Sequence, residues 1–140
     1  MVHYKKEFKK GVFMKINHIA LYTNNLDEMR EYYEKYFNAT SNHMYHNINT
    51  GLKTYFLTFE DNTRLELMTR PDLEQHVSTS YQRGYIHLAF SVGSKEKVDT
   101  LTSTLAHDGY IVVSQPRTTG DGYYESCVLD PEGNQIELVE

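Results

Sequence analysis

The sequence predicts an α+β fold made of two tandem βαβββ modules, and three observations carry that expectation. The segment Asn17-His18-Ile19-Ala20-Leu21-Tyr22 returns in altered form as Ile86-His87-Leu88-Ala89-Phe90-Ser91. A second segment, Arg64-Leu65-Glu66-Leu67-Met68, returns as Gln135-Ile136-Glu137-Leu138-Val139. Between the members of each pair lies the same succession of one helical and several strand-like patterns. Each copy therefore holds one histidine in its first strand and one glutamate in its last, at nearly equal separation.

In the first copy, residues 16–23 alternate: Ile16, His18, Ala20 and Tyr22 fall on one face, Asn17, Ile19 and Leu21 on the other, as in a strand. Asn24 or Asn25 then offers a helix cap, with Asp27 and Glu28 in the first turn. Leu26, Met29, Tyr33 and Phe37 recur at helical spacing and predict a helix over 26–36. Strands follow over 39–47, 52–60 and 63–69, punctuated by Asn49-Thr50-Gly51 and Asp61-Asn62. Residues 70–84 form a polar connector with Pro71 and Gly84.

The second copy opens with a strand over 85–92. A helix over 94–107 follows, capped by Ser94, with Val98, Leu101 and Leu105 on its inner face and Asp108-Gly109 closing it. Strands over 110–115, 122–129 and 135–140 complete it. Their turns are Thr119-Gly120-Asp121-Gly122 and Asp130-Pro131-Glu132-Gly133-Asn134. The modules, 14–70 and 84–140, are expected to form a single domain over 14–140, because either alone buries too little core. Residues 1–13, basic through Lys5-Lys6 and Lys9-Lys10, read as a flexible leader.

Composition excludes several classes of function. The chain of 140 residues is 39% hydrophobic and 24% charged, which is globular rather than disordered. No apolar run approaches the ~18 residues of a membrane span. A formal net charge of −5 argues against broad attraction to nucleic acid or anionic membranes. The single cysteine, Cys127, forms no intrachain disulfide, and no secretory signal pattern follows the N-terminus; the expected location is cytoplasmic. Tyrosine occurs 12 times and tryptophan not at all, which suits a ligand cavity or an interface as well as core and rim.

The chemistry centres on His18, Glu66, His87 and Glu137. A lone His-x-Ala in a strand is ordinarily a satisfied core or surface histidine, and a lone Leu-Glu-Leu ordinarily sends its charge to solvent. A matched pair of pairs in a duplicated module favours a site for one divalent cation. Each glutamate sits between apolar neighbours, where an ionised carboxylate is costly unless paired or bound to metal. Two imidazoles and two carboxylates suit zinc, nickel, cobalt, manganese or iron. The remaining histidines, His3, His43, His46, His76 and His107, have no such support, and Cys127, beside Val128 and Leu129, reads as a small core residue. No nucleotide-binding loop or serine nucleophile elbow is present.

With these residues in view, the chain resembles the vicinal oxygen chelate superfamily, the group of glyoxalase I, bleomycin-resistance proteins and extradiol dioxygenases. The resemblance runs over 14–140. It is carried by Ile16-Asn17-His18-Ile19-Ala20-Leu21, Tyr32-Tyr33-Glu34-Lys35-Tyr36-Phe37, Gly84-Tyr85-Ile86-His87-Leu88-Ala89-Phe90 and Asp130-Pro131-Glu132-Gly133-Asn134-Gln135-Ile136-Glu137-Leu138. It implies modules whose sheets curl around a cleft holding a divalent metal, and a homodimer acting on a small molecule.

Within the group, the His-Glu-His-Glu set resembles glyoxalase I and matches His18, Glu66, His87 and Glu137. Extradiol dioxygenases and fosfomycin-resistance enzymes use two histidines and one glutamate. Methylmalonyl-CoA-type epimerases put glutamine at the first carboxylate, and bleomycin-binding members lack the metal set. The implied activity is lyase or isomerase chemistry on a hemithioacetal, a 2-oxoaldehyde–thiol adduct. A proton would move between adjacent carbons through an enediolate, with Glu137 as base and Glu66 as second candidate. The alternatives are another chemistry on this scaffold, an epimerase, thiol transferase or dioxygenase, or a resistance protein that sequesters a small ligand. Two positions depart from the glyoxalase I pattern: Tyr22 stands where that enzyme has a thiol-binding arginine, and Phe37-Asn38 replaces a helix-ending Leu-Gly.

Overall fold

The computed structural model describes residues 14–76 and 81–140. The expected leader lies outside the described residues, as do positions 77–80 of the connector. In the first module β1 (His18–Tyr22) leads into α1 (Leu26–Phe37), then β2 (Thr40–Ser41), β3 (Tyr45–His46), β4 (Lys53–Thr58) and β5 (Arg64–Thr69). The second contains β6 (His87–Ser91), α2 (Lys95–His107), β7 (Val112–Thr118), β8 (Tyr124–Leu129) and β9 (Gln135–Val139). Each module forms its own mixed sheet, in the orders β1-β5-β4-β2, with β3 also on β4, and β6-β9-β8-β7. The first strand of each module pairs in parallel with the last, and the rest are antiparallel.

The helices form where caps and periodicity place them. Asn25 Oδ1 accepts the Glu28 amide at 3.1 Å, and Leu26, Met29, Tyr32, Tyr33 and Phe37 are buried on the inner face. Asn38 ends α1 in the left-handed conformation (φ 55°), the geometry for which a glycine is usual. Ser94 Oγ caps α2 by accepting the Lys97 amide at 3.2 Å. Its buried face is Val98, Thr102 and Leu105, while the expected Leu101 is only partly buried. Thr102 can be buried because its hydroxyl lies 2.6 Å from the Val98 carbonyl and 2.7 Å from Ser126 Oγ, leaving no orphan polar group.

Two strands differ from expectation. The segment 39–47 is broken into β2 and β3, because the side chain of Asn42 takes over the ladder. Its Oδ1 accepts the Phe56 amide at 2.8 Å while its own amide donates to the Phe56 carbonyl at 3.1 Å. β7 runs on to Thr118, past Pro116, with register shifts after Val112 and Ser114. It is an edge strand, where a residue without an N–H costs no ladder bond.

The two modules share one core. Residues of α1, β4 and β5 cluster with Val98, Leu105, Val128, Ile136 and Leu138 of the second half. Phe37 and Phe90 stack at 4.4 Å between centroids. Two polar ties reinforce the seam. Tyr33 donates its hydroxyl to Asp130 Oδ2 at 3.0 Å, and both carboxylate oxygens of Glu132 accept the amides that precede α1, from Asn24 at 2.7 Å and Asn25 at 3.0 Å. The Asp130-Pro131-Glu132-Gly133-Asn134 turn thus clamps the start and middle of α1. Each sheet has its helix on one face only, and its opposite face is open.

Candidate metal centre

Strand alternation decides what the open faces carry. In β5, Leu65 and Leu67 point to the core and are buried, so Arg64, Glu66 and Met68 point the other way. In β9, Ile136 and Leu138 are buried, which turns Gln135, Glu137 and Val139 outward. The parallel registers are identical: Glu66 lies opposite Ala20 and Glu137 opposite Ala89, two residues beyond His18 and His87. Each histidine consequently meets its own glutamate. His18 Nε2 stands 3.8 Å from Glu66 Oε1, and His87 Nε2 stands 2.9 Å from Glu137 Oε1.

The structure therefore assembles the four sequence-selected residues as two His/Glu pairs, one per sheet. Both histidines line one groove of about 480 Å³ between β1 and β6, with Ile16, Tyr85 and Ile86 along it. Among the described residues no three His, Cys, Asp or Glu side chains within the chain come close enough to share a cation. His43, His46, His76 and His107 join neither pair.

Asn17 decides which way Nδ1 of the first imidazole bonds. Its Oδ1 lies 2.8 Å from His18 Nδ1 and 2.8 Å from Arg64 Nη2. A guanidinium only donates, so the Asn17 atom facing it is the oxygen. The same oxygen must then accept from His18 Nδ1–H. In a neutral ring that puts the lone pair on Nε2, the nitrogen nearer Glu66, the arrangement in which an outer partner orients a metal-binding histidine. Phe56, opposite Glu66 in the sheet, packs edge-on against the His18 ring at 5.3 Å between centroids.

The second pair has different surroundings. Cys127 lies opposite Glu137 in the sheet and is half-buried on the open face, not in the core as its sequence neighbours suggested. The correction follows from alternation: Ser126 and Val128 take the inward positions of β8. Burial, then the charges of Glu137 and Glu125, push the Cys127 thiol up, which disfavours the thiolate. Glu137 is raised above the ordinary carboxylate value of 4.5, first by desolvation; the neighbouring His87 opposes this and Glu125 adds to it. Tyr22, at the end of β1, is more than half exposed.

Sequence reasoning missed Asn17, Phe56 and the position of Cys127. Asn17 sat inside a quoted motif, yet its partner Arg64 lies on a distant strand. The outward alternation of Cys127 with Glu125 was readable once the pairing of β8 with β9 was known.

The donor chemistry fits a divalent cation: imidazole nitrogens with half-buried carboxylates beside them, one imidazole fixed by an outer hydrogen bond. The chain is 28% identical over 130 residues to the uncharacterized protein YqjT of Bacillus subtilis, covering 89% of this chain and 97% of that one. The fold matches glyoxalase I from Zea mays, solved as a V278E mutant, with a TM-score of 0.74 and 20% identity over 89% of this chain and 44% of that one. It also matches the fosfomycin resistance protein FosX from Listeria monocytogenes, solved with Mn(II) and sulfate. There the TM-score is 0.67 at 19% identity, covering 91% of this chain and 93% of that one. The profile of the glyoxalase/bleomycin resistance protein/dioxygenase superfamily matches residues 15–138, and the chain belongs to that superfamily.

Proposed function

We propose that the protein is a metal-dependent lyase of glyoxalase I type, acting on the hemithioacetal formed from a 2-oxoaldehyde and a low-molecular-weight thiol. The observation that carries this reading is the twin arrangement of His18/Glu66 and His87/Glu137, each on an open sheet face, with an imidazole Nε2 towards a carboxylate. All four donors of a glyoxalase I set are present. In the FosX-like and epimerase readings, one carboxylate would be surplus or replaced.

The cation site is shared in this proposal. A sheet with helices on one face needs a second layer on the other. A second copy of the chain supplies it in a twofold homodimer, so that His18 and Glu66 of one copy meet His87 and Glu137 of the other. The separation of the two pairs within one chain supports this. A cytoplasmic location, consistent with the free Cys127, belongs to the same reading.

When bound, a divalent ion would polarise the substrate's oxygens and favour the enediolate. The chain's own residues do the rest. Asn17 holds the His18 ring in place. Glu137 removes the proton from the carbon bearing the thiol and returns it to the neighbouring carbon, and Glu66 is the second candidate for this step. The half-buried setting of Glu137 limits competing water.

The test has two parts: calorimetric titration of chelated protein with nickel, zinc and manganese, and thioester formation from methylglyoxal with a panel of thiols. The expected result is saturable metal binding and metal-dependent thioester formation. Stability indifferent to every metal would move the assignment to ligand sequestration, and proton exchange on an acyl-CoA without thioester formation would move it to an epimerase.

A further inference from the structure

We propose that Arg64 anchors an anionic group, a carboxylate, of the molecule that enters the site. The inference rests on the functional reading above and adds to it the charge of the substrate. Arg64 stands opposite His18 in the parallel register and on the same face as Glu66. Its guanidinium carbon lies 4.6 Å from the centroid of the Phe56 ring, the ring that also packs against His18. Its Nη2 donates to Asn17, and the rest of the five-donor fork has no hydrogen bond among the described residues.

Three other arginines differ. Arg30 is engaged by Glu34 at 3.1 Å, and Arg70 by both oxygens of Asp72. Arg117 donates to Ser114 on edge strand β7. Among the described residues Arg64 has no carboxylate within ion-pair distance, and the nearest acid on its own face, Glu66, faces His18. A half-buried guanidinium over an aromatic ring, without a counter-ion among the described residues, is a ready planar receptor for a carboxylate. The second module has neutral Gln135 at the matching position, bonded to Cys127, so the receptor is one-sided. An anion held by Arg64 would place the substrate's reacting carbons on the His18/Glu66 side of the site.

The carboxylate can sit on the thiol half or on the aldehyde half, and matched probes separate the two. For the thiol half the probes are S-methylglutathione and 3-(methylthio)propanoate against their methyl esters. For the aldehyde half they are pyruvate against methyl pyruvate. Binding is followed by NMR titration of the full-length wild-type protein and of Arg64→Gln and Arg64→Lys, with nickel affinity measured by calorimetry on each. At least one acid should bind wild type about tenfold more tightly than its ester. Arg64→Gln should abolish that difference, Arg64→Lys should keep part of it, and nickel affinity should stay within about twofold. The proposal is overturned if no acid/ester pair discriminates in wild type, if Arg64→Gln preserves the preference, or if it weakens acid and ester alike. Loss of nickel affinity in Arg64→Gln would also overturn it, making Arg64 a positioning residue for His18 acting through Asn17. Wild-type protein that binds no nickel but keeps the acid preference would sink the lyase assignment and leave the anion receptor standing.

Discussion

His18 and His87 illustrate how much a single neighbour decides. Both are strand histidines with an alanine two positions on, yet among the described residues only His18 has an outer acceptor, because Asn17 stands where Ile86 precedes His87. Removing such an outer partner ordinarily costs about 10–100-fold in metal affinity. Asn17→Ala is therefore expected to weaken nickel binding by about tenfold or more by calorimetry, with the melting temperature little changed. Glu137→Gln, assayed at saturating metal, should lower turnover by about 10²–10⁴-fold if the carboxylate is the base. Unchanged turnover would remove that role.

Helices α1 and α2 owe their limits to side chains rather than to propensity. Asn38 holds a left-handed φ at the end of α1, so Asn38→Ala should destabilise by about 1 kcal/mol in urea unfolding, while Asn38→Gly should be near neutral. Tyr33 ties the middle of α1 to Asp130. Without its hydroxyl, Asp130 keeps the Glu132 and Asn134 amides, and Tyr33→Phe is expected to cost about 1–1.5 kcal/mol. Tyr36 makes a second long-range tie, donating to Asp108 just beyond α2. That bond, then His107 beside it, holds the Asp108 carboxyl below 3.8 against partial desolvation. The folded carboxylate gives up its proton more readily than the unfolded one. Its stabilisation is thus present above the unfolded value and is lost as pH falls through the lowered one. Asp108→Asn should flatten the pH dependence of the urea midpoint below 3.8, and a slope identical to wild type would rule the contribution out.

At the scale of the whole molecule, duplication places the two His/Glu pairs on two separate sheets. If a twofold dimer joins them, each complete site draws its first pair from one copy and its second from the other. A His18→Ala chain and a His87→Ala chain, each inactive alone, would then restore one intact site per mixed dimer. After statistical exchange the mixture should regain about a quarter of wild-type turnover. A site contained in one chain would regain none. The Glu132 and Tyr33 ties matter here because they fix how the two open faces are presented.

The sequence by itself determined both helices, most strands, and the placement of His18, Glu66, His87 and Glu137 in the first and last strands of each copy, because each is written in local periodicity or in the internal repeat. The alternation of Leu65 with Glu66, and of Ile136 with Glu137, was enough to aim both carboxylates away from the core. Only the tertiary structure decided what stands beside them. That Asn42 breaks a strand, that Cys127 faces Glu137, and that Arg64 lies bare on Phe56 next to His18 all depend on pairings between strands far apart in the chain. No local pattern encodes such pairings, since a strand's neighbours are chosen by the burial of the whole sheet against its helix.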